Sequence, residues 1–283
     1  MQYFQQAIAR DSGYALAYAG LADGYGLLGE FAQAKAAAEK ALELDSELAE
    51  AHASLGLIEP FLDWNWKDSK AHFEKAIALN PNYATSHHWY GEVYLMPMGR
   101  IEDALAEIRK AQVLDPLSAV IANDLGKDLY FARRYDDAVV ELQRALELDP
   151  SFISAHHWLS DTYLEKGMFP EAIGELEKTK PFRDERTYLR QRAYLQARMG
   201  QRSGAAQALQ KSLQLSQGKP VSYGAVALVC AALGDDDKAF YWLEKAFEQK
   251  SSFMTTVRYW SAFYHLRSDP RFQDLITRVG LRE

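Results

Sequence analysis

One motif returns along the chain at a nearly constant step, and that step constrains the fold more than any other feature. Lys40-Ala41-Leu42-Glu43-Leu44-Asp45 reappears as Lys75-Ala76-Ile77-Ala78-Leu79-Asn80-Pro81 and as Arg144-Ala145-Leu146-Glu147-Leu148-Asp149-Pro150, with a weaker copy at Lys110-Ala111-Gln112-Val113-Leu114-Asp115-Pro116. Anchored on the alanine, the series runs Ala7, Ala41, Ala76, Ala111, Ala145, Thr179, Ser212 and Ala246, in steps of 33 to 35 residues. A period of this size marks a stacked repeat array, in which each unit buries its apolar face only against its neighbours.

Within a unit the pattern is two helices. Ile121, Leu125 and Leu129 fall at helical spacing, Arg133-Arg134-Tyr135-Asp136 interrupts them, and Ala138, Leu142, Ala145 and Leu146 form a second stripe. Asp149-Pro150 ends it, because proline disfavours the α conformation in the residue before it. No segment alternates with period two, so no strand is expected. Small residues share one position on the first helix (Ala22, Gly56, Gly91, Gly126, Ser160, Ala193, Ala227) and another on the second (Ala34, Ala104, Ala138, Ala172, Ala205, Ala239). Larger side chains there would push the helix axes apart. Tyr25, Tyr94 and Tyr163 stand three residues after the first-helix small residue and read as buried gap fillers.

These residues resemble the tetratricopeptide repeat, with small residues at the eighth and twentieth positions and alanine at the twenty-seventh. The resemblance implies an all-α right-handed solenoid, read as a single array over 1–283. A half repeat covers 1–13, and seven helix pairs begin near residues 15, 49, 84, 119, 153, 186 and 220. A capping helix follows at about 269–279, with Phe272, Leu275, Ile276 and Val279 on one face. The sixth and seventh units are degenerate. Because Phe4, Ala7 and Ile8 match a second helix, the chain is expected to be part of a longer protein.

A narrower resemblance rests on Asp63-Trp64-Asn65-Trp66, on the run from Asn80 to Tyr90 and on Leu266-Arg267-Ser268-Asp269-Pro270-Arg271-Phe272. It is to bacterial multidomain regulators whose winged-helix, kinase or cyclase domain precedes such an array. The stretch Arg258-Tyr259-Trp260-Ser261-Ala262-Phe263 departs from that pattern.

The resemblance also implies which residues line a concave groove: Asp23, His88, Glu92, Asn123, Lys127, Tyr130, His157, Asp161, Arg190 and Tyr194. Exposed Tyr130, Tyr194 and Leu95 would add apolar anchors for a peptide. Asn123 and Lys127 stand in the opposite order to the clamp that some such domains use for a chaperone tail, so that partner is not expected.

Composition narrows the function. Lys and Arg number 32 against 39 Asp and Glu, for a net charge of −7, which argues against a phosphate-binding nucleic-acid face. The single cysteine, Cys230, sits in an apolar helix and reads as core rather than nucleophile. His88 with Glu92, and His157 with Asp161, have a spacing that could hold a metal, and a metal-assisted hydrolase built on His88 and Glu92 is the enzymatic alternative. No phosphate-loop, dinucleotide or nucleophile-elbow motif is present. Asp235-Asp236-Asp237 reads as a helix start, and Trp64 with Trp66 as a roof over the core. The expectation is a non-enzymatic scaffold for a protein or peptide, without cofactor or metal. The alternative is a dimerising, ligand-sensing arm of a transcriptional regulator. The partner is unnamed, a homodimer is allowed, and the location is cytoplasmic unless an upstream span exports the segment.

Overall fold

A computed structural model describes residues 1–281. The described residues form helices and turns with no strand, and they divide into two compact units, 1–117 and Ser118 onward.

The first unit opens with α1 (Gln2–Arg10), then the hairpins α2 (Ala15–Leu27) with α3 (Phe31–Leu44) and α4 (Ala49–Asp63) with α5 (Trp66–Leu79). A third hairpin joins α6 (Ala84–Trp89) and the π-helical Tyr90–Leu95 to α7 (Ile101–Leu114). Small residues set the approach within each pair. A Cβ on Gly56 would lie 2.8 Å from the Phe73 ring, and one on Gly91 would lie 2.6 Å from Ile108 Cγ1 and 2.8 Å from the Ala104 carbonyl. Two prolines reshape first helices. Pro60 lies inside α4 and offers no N–H to the Gly56 carbonyl one turn back. Ser69 Oγ, from the second helix, donates to that carbonyl at 2.7 Å instead. Pro97 would likewise clash with the carbonyl four residues earlier. Ahead of it the chain widens into a π turn, with the Met96 amide bonding Gly91 five residues back at 2.9 Å.

The second unit contains α8 (Ala119–Phe131) with α9 (Tyr135–Leu148), α10 (Ile153–Glu165) with α11 (Phe169–Thr179), α12 (Glu185–Arg198) with α13 (Arg202–Leu215), and α14 (Tyr223–Ala232) with α15 (Asp236–Glu248). A Cβ on Gly126 would meet Leu142 Cγ at 2.6 Å. Ser160 Oγ donates to the Ala172 carbonyl at 2.7 Å, which ties the α10–α11 hairpin together. After α15 the helical-hairpin pattern stops. Residues Ser252–Tyr259 and Ser261–Leu266 run as 3-10 turns, and α16 (Pro270–Val279) closes the unit. Asp269 caps α16 by accepting from the Arg271 amide, and Phe272, Leu275, Ile276 and Val279 are buried. Asp235 caps α15, accepting from the Lys238 amide at 3.3 Å.

Some residues depart from expectation. Tyr25, Tyr94 and Tyr163 are half-buried rather than fully buried. Trp66 is buried and Trp64 half-buried, their rings stacked at 6.5 Å. Trp64 ends α4 with a left-handed backbone (φ 54°), a conformation uncommon outside glycine. Cys230 is buried, and burial pushes its thiol up to about 11.

Candidate functional site

The histidine doublets split by role. His87 turns inward and bonds Glu107 of α7 at 2.6 Å, and Lys110 Nζ reaches the other oxygen of that carboxylate at 2.6 Å. His156 repeats this with Glu175 of α11 at 2.6 Å and Lys178 at 2.8 Å. At the same place in the second hairpin, His52 and His72 share a nitrogen–nitrogen contact of 3.0 Å. These histidines tie first helix to second. The Glu107 bond raises His87, whereas burial lowers His52 and His72.

The second histidine of each doublet joins an acid one turn on: His88 Nε2 lies 3.3 Å from Glu92 Oε2, and His157 Nε2 lies 3.9 Å from Asp161 Oδ2. Among the other residues assigned to the first-helix face, Asp23 is half-buried and accepts from Ser54 Oγ at 2.5 Å. Burial pushes its carboxyl up to about 6 despite that bond, and Glu50 adds to the rise. Lys127 Nζ meets Asp124 at 3.4 Å, as does Asn123 Nδ2 at 3.0 Å, and Asn123 is buried.

The apolar anchors are not available. Tyr130 is 3% exposed, Tyr194 4% and Leu95 1%. For the two tyrosines the cause is the segment Ser252–Leu266. Its Trp260 stacks on Trp158 (centroids 5.7 Å, planes 29° apart) and meets Tyr130, Phe131 and Tyr194 at 6.2, 5.6 and 6.4 Å. Ser261 Oγ donates to Glu165 at 2.6 Å, and Glu165 pairs with Arg198 at 2.6 Å. Arg198 also donates to the Tyr194 hydroxyl at 2.9 Å. The first-helix face of the second unit is thus filled by its own chain. Only the break in pattern at Arg258–Phe263 signals this in the sequence. Nothing local to that stretch says that its tryptophan packs about a hundred residues away.

Beside Trp260 lies a cavity of about 400 Å³ that brings together four of the assigned residues: His157, Asp161, Arg190 and Tyr194. Arg183, Gln191 and Phe253, which the repeat pattern did not mark, complete much of its wall. The Gln191 side-chain amide lies against His157 Nδ1, and His157 Nε2 faces Asp161. Burial pushes His157 down to about 3, with Arg183 adding to the fall. Burial, reinforced by Glu165, pushes Asp161 up to about 8, against Arg198 and Arg183. At neutral pH the wall therefore holds a neutral imidazole, a protonated carboxyl and guanidinium groups.

Comparison with known proteins agrees with the geometry. The family model for the TPR repeat matches residues 126–167, and tetratricopeptide-repeat models match 72–106 and 15–48. Among curated proteins none matches. Several solved structures are similar. One is PilF of Pseudomonas aeruginosa, at 24% identity over 76% of this chain and 95% of that one, TM-score 0.56. Another is PilW, a widely conserved type IV pilus biogenesis factor, at 18% over 93% and 98%, TM-score 0.53. A third is the Cut9–Hcn1 hetero-tetramer of APC/C, at 14% over 98% and 51%, TM-score 0.67. At these identities the likeness is one of fold. No helix among the described residues is long and apolar enough to cross a membrane.

Proposed function

We propose, from the premise that this chain is a tetratricopeptide-repeat protein, that it is a scaffold without chemistry of its own that holds an extended segment of a partner protein against its first unit. Repeats of this kind build protein-interaction scaffolds. One observation supports the choice of unit. Asp23 is half-buried on α2, and Glu50 and Tyr83 are close enough to perturb it or to be perturbed by it. This is a small acidic patch on the first-helix face, whereas the same face of the second unit is taken up by Trp260. An extended peptide offers backbone donors, and a lysine or arginine beside them would meet the carboxylates. The groove is then read as Asp23 and Glu92 in the first unit, with buried His88 behind Glu92.

Peptides selected from a random display library on the whole chain test this. Calorimetric titration of the selected peptides is expected to show at least tenfold weaker binding to Asp23→Lys, equivalent to about 1.4 kcal/mol. Unchanged affinity in that variant, with its fold intact, would remove the assignment.

The same reading makes the chain the interaction region of a larger bacterial regulator, on the strength of Asp63-Trp64-Asn65-Trp66 and Leu266–Phe272. A coding region continuing into a winged-helix, kinase or cyclase domain would support it. A coding region with none of these would not.

A further inference from the structure

The cavity beside Trp260 holds polar groups that its own walls do not satisfy. Arg190 is 7% exposed; its Nη2 donates to Thr187 at 3.3 Å, while its Nη1 has no partner. Arg183 Nε, Gln191 Oε1, Asp161 Oδ2 and Trp260 Nε1 are likewise buried and unpartnered. Buried polar groups are nearly always paired, and a buried guanidinium without an acceptor is costly. All five belong to residues that line one cavity. The rings of Tyr194, Phe253 and Trp260 supply flat apolar walls. The volume suits a small organic molecule, within the ordinary range for such sites.

We propose that this cavity binds a small aryl carboxylate, its carboxylate held by Arg190 and Arg183 and its ring against Trp260 and Phe253. An anion is favoured because the two guanidinium groups outnumber the carboxylates on the wall, where Asp161 is the sole acid. A planar carboxylate matches the fork of a guanidinium. Gln191 Oε1 and Trp260 Nε1 then offer one acceptor and one donor to polar atoms on the ring. A larger trough lined by Arg202, Asp235, Lys238 and Arg271 is a weaker candidate, because its charges pair among themselves. Arg271 meets Asp269 and Asp237, each at 2.9 Å, and Lys238 meets Asp235 at 2.6 Å. The proposal is independent of peptide binding at Asp23.

The test is calorimetric titration of the whole chain with phenylacetate and indole-3-acetate, and with phenylacetamide as the uncharged control, up to about 10 mM, where weak fragments still register. Saturable binding of at least one acid, tenfold or more tighter than the amide, is expected. Arg190→Gln should weaken it tenfold or more, with Arg183→Gln moving in the same direction. Circular dichroism and melting establish that each variant is folded. If Arg190→Gln fails to fold, Arg183→Gln and Arg190→Lys take its place. Asp23→Lys should leave acid binding unchanged, which separates this site from the peptide groove. No binding of either acid, equal binding of acid and amide, or full binding to folded Arg190→Gln would each overturn the proposal. A cavity holding only water gives the first of these outcomes.

Discussion

The two units are built from the same hairpin and end up with different first-helix faces. In the first unit the chain consists of hairpins from α2 to α7, and half-buried Asp23 and Glu92 stay on that face. In the second, the chain leaves the repeat pattern after α15 and lays Ser252–Leu266 across α8, α10 and α12, burying Tyr130 and Tyr194. The repeat fixes the scaffold in both cases. What fills or spares the face is decided by residues outside the repeat, and a site cannot be carried over from one unit to the next by position alone.

The comparison is easiest to break by removing the filler. Trp260→Ala should destabilise the chain by about 4 kcal/mol, the usual scale for a large aromatic truncated in a core. Urea unfolding measures the loss. Hydrogen exchange should show it in α8, α10 and α12 while α2 to α5 keep their protection. Loss spread evenly over both units would mean that the segment does not belong to the second unit alone. A wedge inside a hairpin is the next largest effect. Gly126→Leu should cost about 3 kcal/mol, because a Cβ already meets Leu142 at 2.6 Å and lies 3.2 Å from its backbone nitrogen. A melting temperature within a degree or two of the parent would refute tight packing there.

The first unit has its own test. Ser69→Ala removes the hydroxyl that occupies the Gly56 carbonyl released by Pro60. Leaving that carbonyl unpaired in the core should cost about 2 kcal/mol by urea unfolding. Restoring a main-chain donor with Pro60→Ala in the same chain should recover much of it. No recovery would contradict the account of the proline.

The smallest effect is electrostatic. Asp161 is raised from 3.8 to about 8, so the folded chain keeps a proton that the unfolded chain releases. The stability tied to that proton is whole below about pH 4 and is lost as pH rises toward 8. His157 is lowered from 6.5 to about 3, so its contribution is whole above pH 6.5 and is lost as pH falls toward 3. Between about pH 4 and 6.5 the two slopes oppose. Between 6.5 and 8 the Asp161 slope stands without that opposition, and stability should fall by about 1 to 2 kcal/mol. Asp161→Asn should flatten this part of the curve. His87, raised in the first unit, adds a loss of the same sign that the substitution leaves in place. A pH profile identical in parent and variant would rule out a protonated Asp161.

Much of the scaffold is legible in the sequence. Small residues at two positions of each unit announce close helix pairs because only small side chains permit the approach, and Ala22, Ala34, Ala104, Ala138 and Ala205 are all fully buried. Asp269 and Asp235 announce helix starts by their chemistry. Position within the repeat could not separate His87 from His88, because the partner of His87 lies on the facing helix, 20 residues away. Nor could it expose the π turn before Pro97, the hydroxyl that Ser69 supplies to α4, or the burial of Tyr130 and Tyr194. Each of these depends on contacts between distant residues. The cavity was legible only in fragments: His157, Asp161, Arg190 and Tyr194 carry the repeat's spacing, whereas Arg183, Gln191, Phe253 and Trp260 lie at positions it does not mark.

The central claim, that the second unit fills its own first-helix face, is tested most directly by proton–proton contacts in the NMR spectrum of the whole chain. Cross-peaks from the Trp260 indole ring to Phe131, Trp158 and Tyr194 are expected, with the indole N–H shielded from rapid exchange. A Trp260 indole that exchanges freely with water and shows no contact to those three rings would contradict the account.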